Sequence, residues 1–255
     1  MTIDKKLYVF DMDGTIYLGE NVFPFAVTYI KRLRAEGRRV LFFTNNASKS
    51  PKFYLDRLSR MGFEPKDDEI MTSGDVTIRF LKEKRPGRSV YLLGTALLQN
   101  SFAEAGIELS DNADIVVSSF DTELTYAKLE RACTLIRGGA EYLCTHPDFN
   151  CPTENGFIPD SGAIAAAITA STGVKPRYFG KPYADTAEMI FSYTGVEAND
   201  ACIFGDRLYT DIALGKNSGM TAVLVLSGET KKDELSSLPP EKSPDIVLNS
   251  INDLL

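Results

Sequence analysis

Short apolar runs alternate with amphipathic stretches along this chain, and that alternation restricts the fold more than any other feature. The apolar runs cover residues 7–10, 39–43, 90–93, 114–117, 141–144, 201–204 and 221–226. Between them lie helix-like stretches at 25–36, 51–61, 74–84, 126–137, 161–172 and 183–195. Runs this short and this continuously apolar suit strands covered on both faces. Strands separated by helices predict βαβ units, hence an α/β fold with a mainly parallel sheet. The polar stretch 231–243 reads as a surface segment before a last short strand near 246–248.

In parallel sheets, ligands bind just beyond the carboxyl ends of strands. The first run leads directly into Asp11-Met12-Asp13-Gly14-Thr15. A carboxylate there can attack phosphorus and split one hard hydrolysis into two easier steps. A second carboxylate, Asp13, can move protons. Gly14 permits a tight turn whose N–H groups face an anion. Two anions must then meet, which calls for a hard cation such as Mg²⁺. By itself the pattern is equally that of an Asx-type turn at a strand end.

Further strand ends carry polar groups of the same kind. Phe42-Phe43 runs into Thr44-Asn45-Asn46, Tyr178-Phe179 into Gly180-Lys181-Pro182, and Ile203-Phe204 into Gly205-Asp206-Arg207, with Asp211 beyond. Each has a local explanation as a helix cap or a solvated lysine. Together they supply carboxylates, a hydroxyl and an ammonium at strand carboxyl ends, the inventory of a Mg²⁺-dependent phosphoryl-transfer site.

Composition narrows the class. Net charge is −7, with 44% hydrophobic and 25% charged residues. That balance suits a globular protein and disfavours a general nucleic-acid or anionic-membrane binder. Cys133, Cys144, Cys151 and Cys202 form no CxxC pair and have no metal-type spacing with His146, the one histidine. They read as free, mostly buried thiols of a reducing compartment. The first strand begins too early for a signal peptide, and no apolar stretch reaches spanning length. The expected location is the cytoplasm.

In this order the segments resemble the haloacid dehalogenase (HAD) superfamily. Asp11-Met12-Asp13-Gly14-Thr15 resembles its first motif, Thr44 its second, Lys181 its third, and Asp206 with Asp211 its fourth. Phe43-Thr44-Asn45-Asn46 and the segment from Gly205 to Ile212 resemble the NagD-like group, type IIA. The resemblance implies a Rossmann-like core, residues 1–84 and 178–255, with an inserted α/β cap at 85–177. A hairpin flap around 17–23 precedes the first helix.

The resemblance also implies roles. Asp11 is the nucleophile that becomes an aspartyl-phosphate, and Asp13 the general acid and base. Met12, Thr44, Asn45 and Lys181 bind the phosphoryl group. Mg²⁺ is held by Asp11, the Asp13 carbonyl and Asp206, with Asp211 in its outer shell. The substrate is a small phosphorylated metabolite of the sugar phosphate or nucleoside monophosphate type. Relatives of this kind often form homodimers through the cap. An intact Asp13 favours hydrolysis over the alternative, a non-catalytic sensor of a phosphorylated metabolite.

Substrate choice is expected in the cap, near His146 and Asp148. Many relatives carry Asn in place of His146 and Gly in place of Asp160. His146 is open to two readings, a contact to substrate or a histidine satisfied by its own loop. A tight turn is expected at Asn155-Gly156, and Gly94 reads as a structural turn.

Overall fold

The computed structural model describes residues 3–153 and 156–254. Its strands are β1 (Leu7–Phe10), β2 (Tyr17–Leu18), β3 (Asn21–Val22), β4 (Arg39–Thr44), β5 (Ile70–Thr72), β6 (Val90–Leu93), β7 (Ile115–Ser118), β8 (Glu141–Cys144), β9 (Asn150–Thr153), β10 (Gly156–Pro159), β11 (Arg177–Tyr178), β12 (Ala201–Gly205), β13 (Thr221–Val225) and β14 (Ile246–Leu248). Its α-helices are α1 (Ala26–Ala35), α2 (Pro51–Arg60), α3 (Ser73–Lys84), α4 (Ala96–Glu104), α5 (Tyr126–Arg137), α6 (Ser161–Thr172), α7 (Ala184–Thr194) and α8 (Ala213–Ser218). The chain divides into two compact units. The first comprises Met1–Thr44, Pro51–Met71 and Lys181–Leu255; the second comprises Asn45–Ser50 and Thr72–Gly180.

The first unit is built on a six-stranded sheet in the order β14-β13-β12-β1-β4-β5. β1 runs parallel to both β4 and β12, and β13 runs parallel to β12 and β14. From β1 the chain moves outward to β4 and β5, then returns to β12 on the other flank. That reversal makes the carboxyl end of β1 a topological switch point, where α/β sheets open a crevice for ligands.

All of β1 is buried, as expected of a strand covered on both faces. Phe10 stacks on Phe204 of β12 at 4.7 Å between ring centroids and lies 6.3 Å from Phe42 of β4. α1 buries Ala26, Tyr29, Ile30 and Leu33, one helical stripe. Its Tyr29 meets the Phe10 ring edge-on at 6.4 Å. Burying such aromatic rings is worth about 1.5–3 kcal/mol each, so this cluster ties the motif-bearing strands together. The flap is present as the short antiparallel pair β2–β3.

The second unit has its own parallel four-stranded sheet, β11-β8-β7-β6. Leu93, Val116 and Tyr142 from the sheet pack with Ala132, Cys133 and Ile136 of α5 and Ile164 and Ile168 of α6. Side-chain caps start its helices. Thr72 and Asp75 form a reciprocal capping box on α3, Thr95 caps α4, Thr125 caps α5 and Asp160 caps α6. β9 and β10 pair with each other antiparallel. Asn155, at the expected turn between them, lies outside the described residues.

Cys133, Cys144 and Cys202 are buried thiols. No described helix is long and apolar enough to cross a membrane.

Candidate active site

The carboxyl ends of β1, β4 and β12 bring Asp11, Thr44 and Asp206 to one edge of the six-stranded sheet. Asp11 extends the ladder past β1, its N–H donating to the Phe204 carbonyl at 2.8 Å. Its side chain is therefore aimed by the register of two central strands. Lys181 donates to Asp11 Oδ1 and lies 2.6 Å from Asp211 Oδ1. The Lys181 ammonium also sits 5.5 Å from the centre of the Phe43 ring. Both Lys181 and Asp211 are buried.

Asp206 receives the Glu229 N–H on Oδ2 at 2.8 Å. Asp206 Oδ1 is buried and has no hydrogen-bond partner among the described residues. Asp211 is held by its own turn, accepting from Thr210 Oγ1 at 3.2 Å and from the Arg207 N–H at 3.4 Å on Oδ2. That turn, Leu208–Ile212, is π-helical. Glycines make room for the carboxylates. A Cβ on Gly14 or Gly228 would overlap the Asp206 carboxylate, and one on Gly205 would overlap Asp211. Gly14 also needs its freedom for a φ of +82°.

Asp11, Asp206 and Asp211 offer oxygen atoms that all lie within 4.8 Å of one another. Such crowding is electrostatically costly. Burial pushes the Asp11 carboxyl up to about 7; Lys181 pulls the other way, while Asp211 and Asp206 add to the rise. Burial and the nearby Asp211 push Asp206 up to about 6. Burial works against the Lys181 charge, but Asp11 and Asp211 outweigh it and hold its pKa above the ordinary lysine range.

A divalent cation fits this donor set. The oxygens are hard ligands, one of them is buried and unpaired, and the carboxylates outnumber the ammonium that faces them. Asp11, Asp206 and Asp211 are the residues whose oxygens could hold it.

Asp13 is solvent-exposed and stands at the start of the flap, bridging to Tyr17. Its carboxyl is also pushed up, chiefly by partial burial against the opposing Gly19 N–H. Met12 is buried, and its carbonyl accepts from the Thr15 and Ile16 N–H groups at 3.2 and 3.0 Å, which closes the turn. Thr44 is half-buried as the last residue of β4.

The second unit gathers Asn45, His146, Asp148 and Asp160. Asn45 Nδ2 donates to Asp148 Oδ2 at 3.1 Å and to Oδ1 at 3.3 Å. His146 is fully buried, with Nε2 2.8 Å from Asp160 Oδ1. Both of its ring nitrogens are thus occupied by the chain, whereas Asp148 is half-buried.

Sequence reasoning gave no role to Arg207. Its charge is supported by Asp11 and Asp206 against the cost of burial, and its Nε pairs with Glu229 at 2.9 Å. Its position next to Asp206 was the available signal. Gly228 gave none, because its contact with Asp206 is made only in the folded chain.

Residues 8–108 match the haloacid dehalogenase-like hydrolase family and residues 178–254 match a second HAD-hydrolase-like description. The chain is 34% identical over 242 residues to an acid sugar phosphatase of Staphylococcus aureus, covering 93% of both. It is similar to the crystal structure of a 4-nitrophenylphosphatase from Thermotoga maritima, with a TM-score of 0.93, 40% identity, and coverage of 98% of this chain and 96% of that one. A solved structure described as a NagD protein superposes with a TM-score of 0.90 at 38% identity, covering 98% of this chain and 97% of its own. The chain belongs to the haloacid dehalogenase-like hydrolases, in their NagD-like group, and is an enzyme of that family.

Proposed function

We propose that the protein is a Mg²⁺-dependent phosphatase that hydrolyses small phosphomonoesters, sugar phosphates foremost, through an aspartyl-phosphate on Asp11. The observation that carries this reading is the Asp11 carboxylate itself. It stands at the switch point of the sheet, gripped by Lys181 and beside Asp206 and Asp211. The similarity to an acid sugar phosphatase and a 4-nitrophenylphosphatase supports the choice of phosphomonoesters.

Asp11 attacks phosphorus through its carboxylate oxygen, and the bond from phosphorus to the ester oxygen breaks. The leaving oxygen takes a proton from Asp13, whose raised carboxyl holds one more readily than an ordinary aspartate. In the second step Asp13, now a carboxylate, removes a proton from water. The water attacks phosphorus, and the bond to Asp11 breaks to release inorganic phosphate.

Lys181 balances the negative charge that Asp11 and the phosphoryl oxygens bring together. Thr44, Asn45 and the backbone at Met12 bind those oxygens. Asp11, Asp206 and the Asp13 carbonyl hold Mg²⁺, which supplies the charge neutralisation that lets a carboxylate meet a phosphate. Asp211 orients Lys181 and stands behind the metal ligands. Residues 85–177 act as the cap, with Asp148 contacting the leaving group. The buried thiols suit a reducing, cytoplasmic setting.

The test is phosphate release from a panel of sugar, nucleoside and aryl phosphates with and without Mg²⁺. Turnover that chelation abolishes, and that Asp11→Asn reduces by at least about a thousandfold, is the expected result. Substantial turnover by a contamination-free Asp11→Asn preparation would sink the covalent mechanism.

A further inference from the structure

The flap is too short to hold itself in place. β2 and β3 have two residues each, and Gly19-Glu20 is the whole turn between them. Two-stranded hairpins are marginal in water even when longer. Asp13 nevertheless depends on this flap. At its root Asp13 bridges to Tyr17, and the Gly14 N–H donates to the Tyr17 carbonyl at 2.7 Å. At its tip the Gly19 N–H faces the Asp13 carboxylate. Asp13 is otherwise exposed to solvent, where a side chain turns freely unless something fixes it.

The support comes from α2. Arg57, in the last turn of that helix, donates from Nη2 to the Gly19 carbonyl at 2.7 Å. Its guanidinium also lies over the Tyr17 ring, 4.9 Å from the centroid. One side chain thus grips the flap at its tip and at its root. A charged donor makes the stronger kind of hydrogen bond, and a cation over an aromatic face adds a second attraction. The base of the grip is fixed, because Tyr54 and Leu58 of α2 are buried in the same core cluster as Tyr17. The Arg57 side chain is only 21% exposed, whereas its other partner, Glu20 at 3.2 Å, is 84% exposed. An ion pair so open to water contributes little.

From this geometry we propose that Arg57 is a positioning residue for the reaction: it holds the flap, and through the flap it holds Asp13 where a leaving oxygen can take its proton. The proposal rests on the phosphatase reading, in which Asp13 is the proton donor. Arg57 touches no reacting atom. It acts through the Gly19 peptide, whose carbonyl it holds and whose N–H faces the carboxylate. Small displacements of a catalytic group are enough to slow a reaction, since the donor must meet the leaving oxygen within hydrogen-bond reach.

Leaving groups separate this role from general damage. An alkoxide needs a proton to depart; a dinitrophenolate departs without one. The quantity kcat/KM covers the steps up to cleavage of the ester bond. Arg57→Met keeps the apolar stem but removes the charge and the donors. It should lower kcat/KM on glycerol phosphate about tenfold and on a dinitrophenyl phosphate less than about threefold. Equal losses on the two esters would mean general damage and overturn the proposal, as would no loss on either. Glu20→Gln leaves both contacts of Arg57 to the flap and should show no bias between the esters; a bias equal to that of Arg57→Met would overturn the account by assigning the effect to the exposed ion pair.

Asp13→Asn distinguishes failure of the proposal from failure of the reading beneath it. It should show the same bias more strongly, with at least about a hundredfold loss on the alkyl ester. A bias in Asp13→Asn without one in Arg57→Met overturns the role of Arg57 alone. No bias in either variant overturns Asp13 as the proton donor and the proposal with it. The unaltered protein offers an independent check by hydrogen exchange. The Gly19 N–H should exchange at least about tenfold more slowly than an exposed turn amide. Exchange as fast as that of a free turn would show that the flap is not held and overturn the proposal.

Discussion

At the residue scale the site is defined as much by missing side chains as by charged ones. Asp206 is legible because it follows an apolar strand and precedes a helical turn. Gly228, which lies against it, is not legible, since a gap of more than twenty residues separates the two and only the folded chain closes it. The same holds for Asp160, whose pairing with His146 crosses from a strand end to a helix cap. A specific consequence attaches to Gly228. Its φ lies outside the left-handed region, so alanine is strained there by space alone. The added methyl would displace the Asp206 carboxylate and its bond from Glu229 N–H. We expect Gly228→Ala to raise the Mg²⁺ concentration needed for half-maximal activity by at least about tenfold, since a displaced ligand weakens a metal site by that order. Metal titration of the activity measures this. An unchanged titration curve would mean that the ion does not use Asp206.

At the element scale, periodicity predicts best where one face is continuous. α5 and α6 span the residues expected from their apolar spacing, 126–137 and 161–172. α4 escaped notice because it buries only Leu98 and Phe102, too narrow a stripe to show over nine residues. β5 is three residues long and the turn at Leu208–Ile212 is π-helical, so neither has a period to read. Beside that turn Gly205 leaves room for Asp211, whose carboxylate a Cβ would overlap.

Caps carry a separate signal. α3 begins at a reciprocal box in which Asp75 receives both the N–H and the hydroxyl of Thr72 at 2.7 Å. Replacing Asp75 with alanine leaves a buried N–H unpaired and frees the first turn. Loss of such a cap costs about 1–2 kcal/mol. Calorimetry of Asp75→Ala should show a fall in Tm of roughly 2–8 °C for a chain of this size. A Tm within about 1 °C of the unaltered protein would show that the box contributes nothing.

At the scale of the whole molecule, the clustered carboxylates at the carboxyl end of the six-stranded sheet oppose folding at neutral pH unless a cation joins them. Asp11 and Asp206 are raised to about 7 and about 6, well above 3.8, chiefly by burial. Asp13 and Asp75 are shifted in the same direction. Between about pH 4 and pH 7 the folded chain therefore binds more protons than the unfolded chain. Stability must fall as pH rises through that window and stay low above it. A bound divalent ion reverses the penalty by neutralising the same oxygens, and protons compete with it below about pH 6.

Two thermal scans decide the matter. In chelator, Tm should be lower at about pH 8 than at about pH 5, by roughly 5 °C if a little over one kcal/mol survives the coupling among the groups. With saturating Mg²⁺ the increment in Tm should be large at the higher pH and small at the lower one. Equal increments at both pH values would contradict a site whose ligands are these raised carboxylates. The carboxylates that attract the ion are the ones whose crowding weakens the fold without it, so affinity for metal and instability in its absence have a common cause.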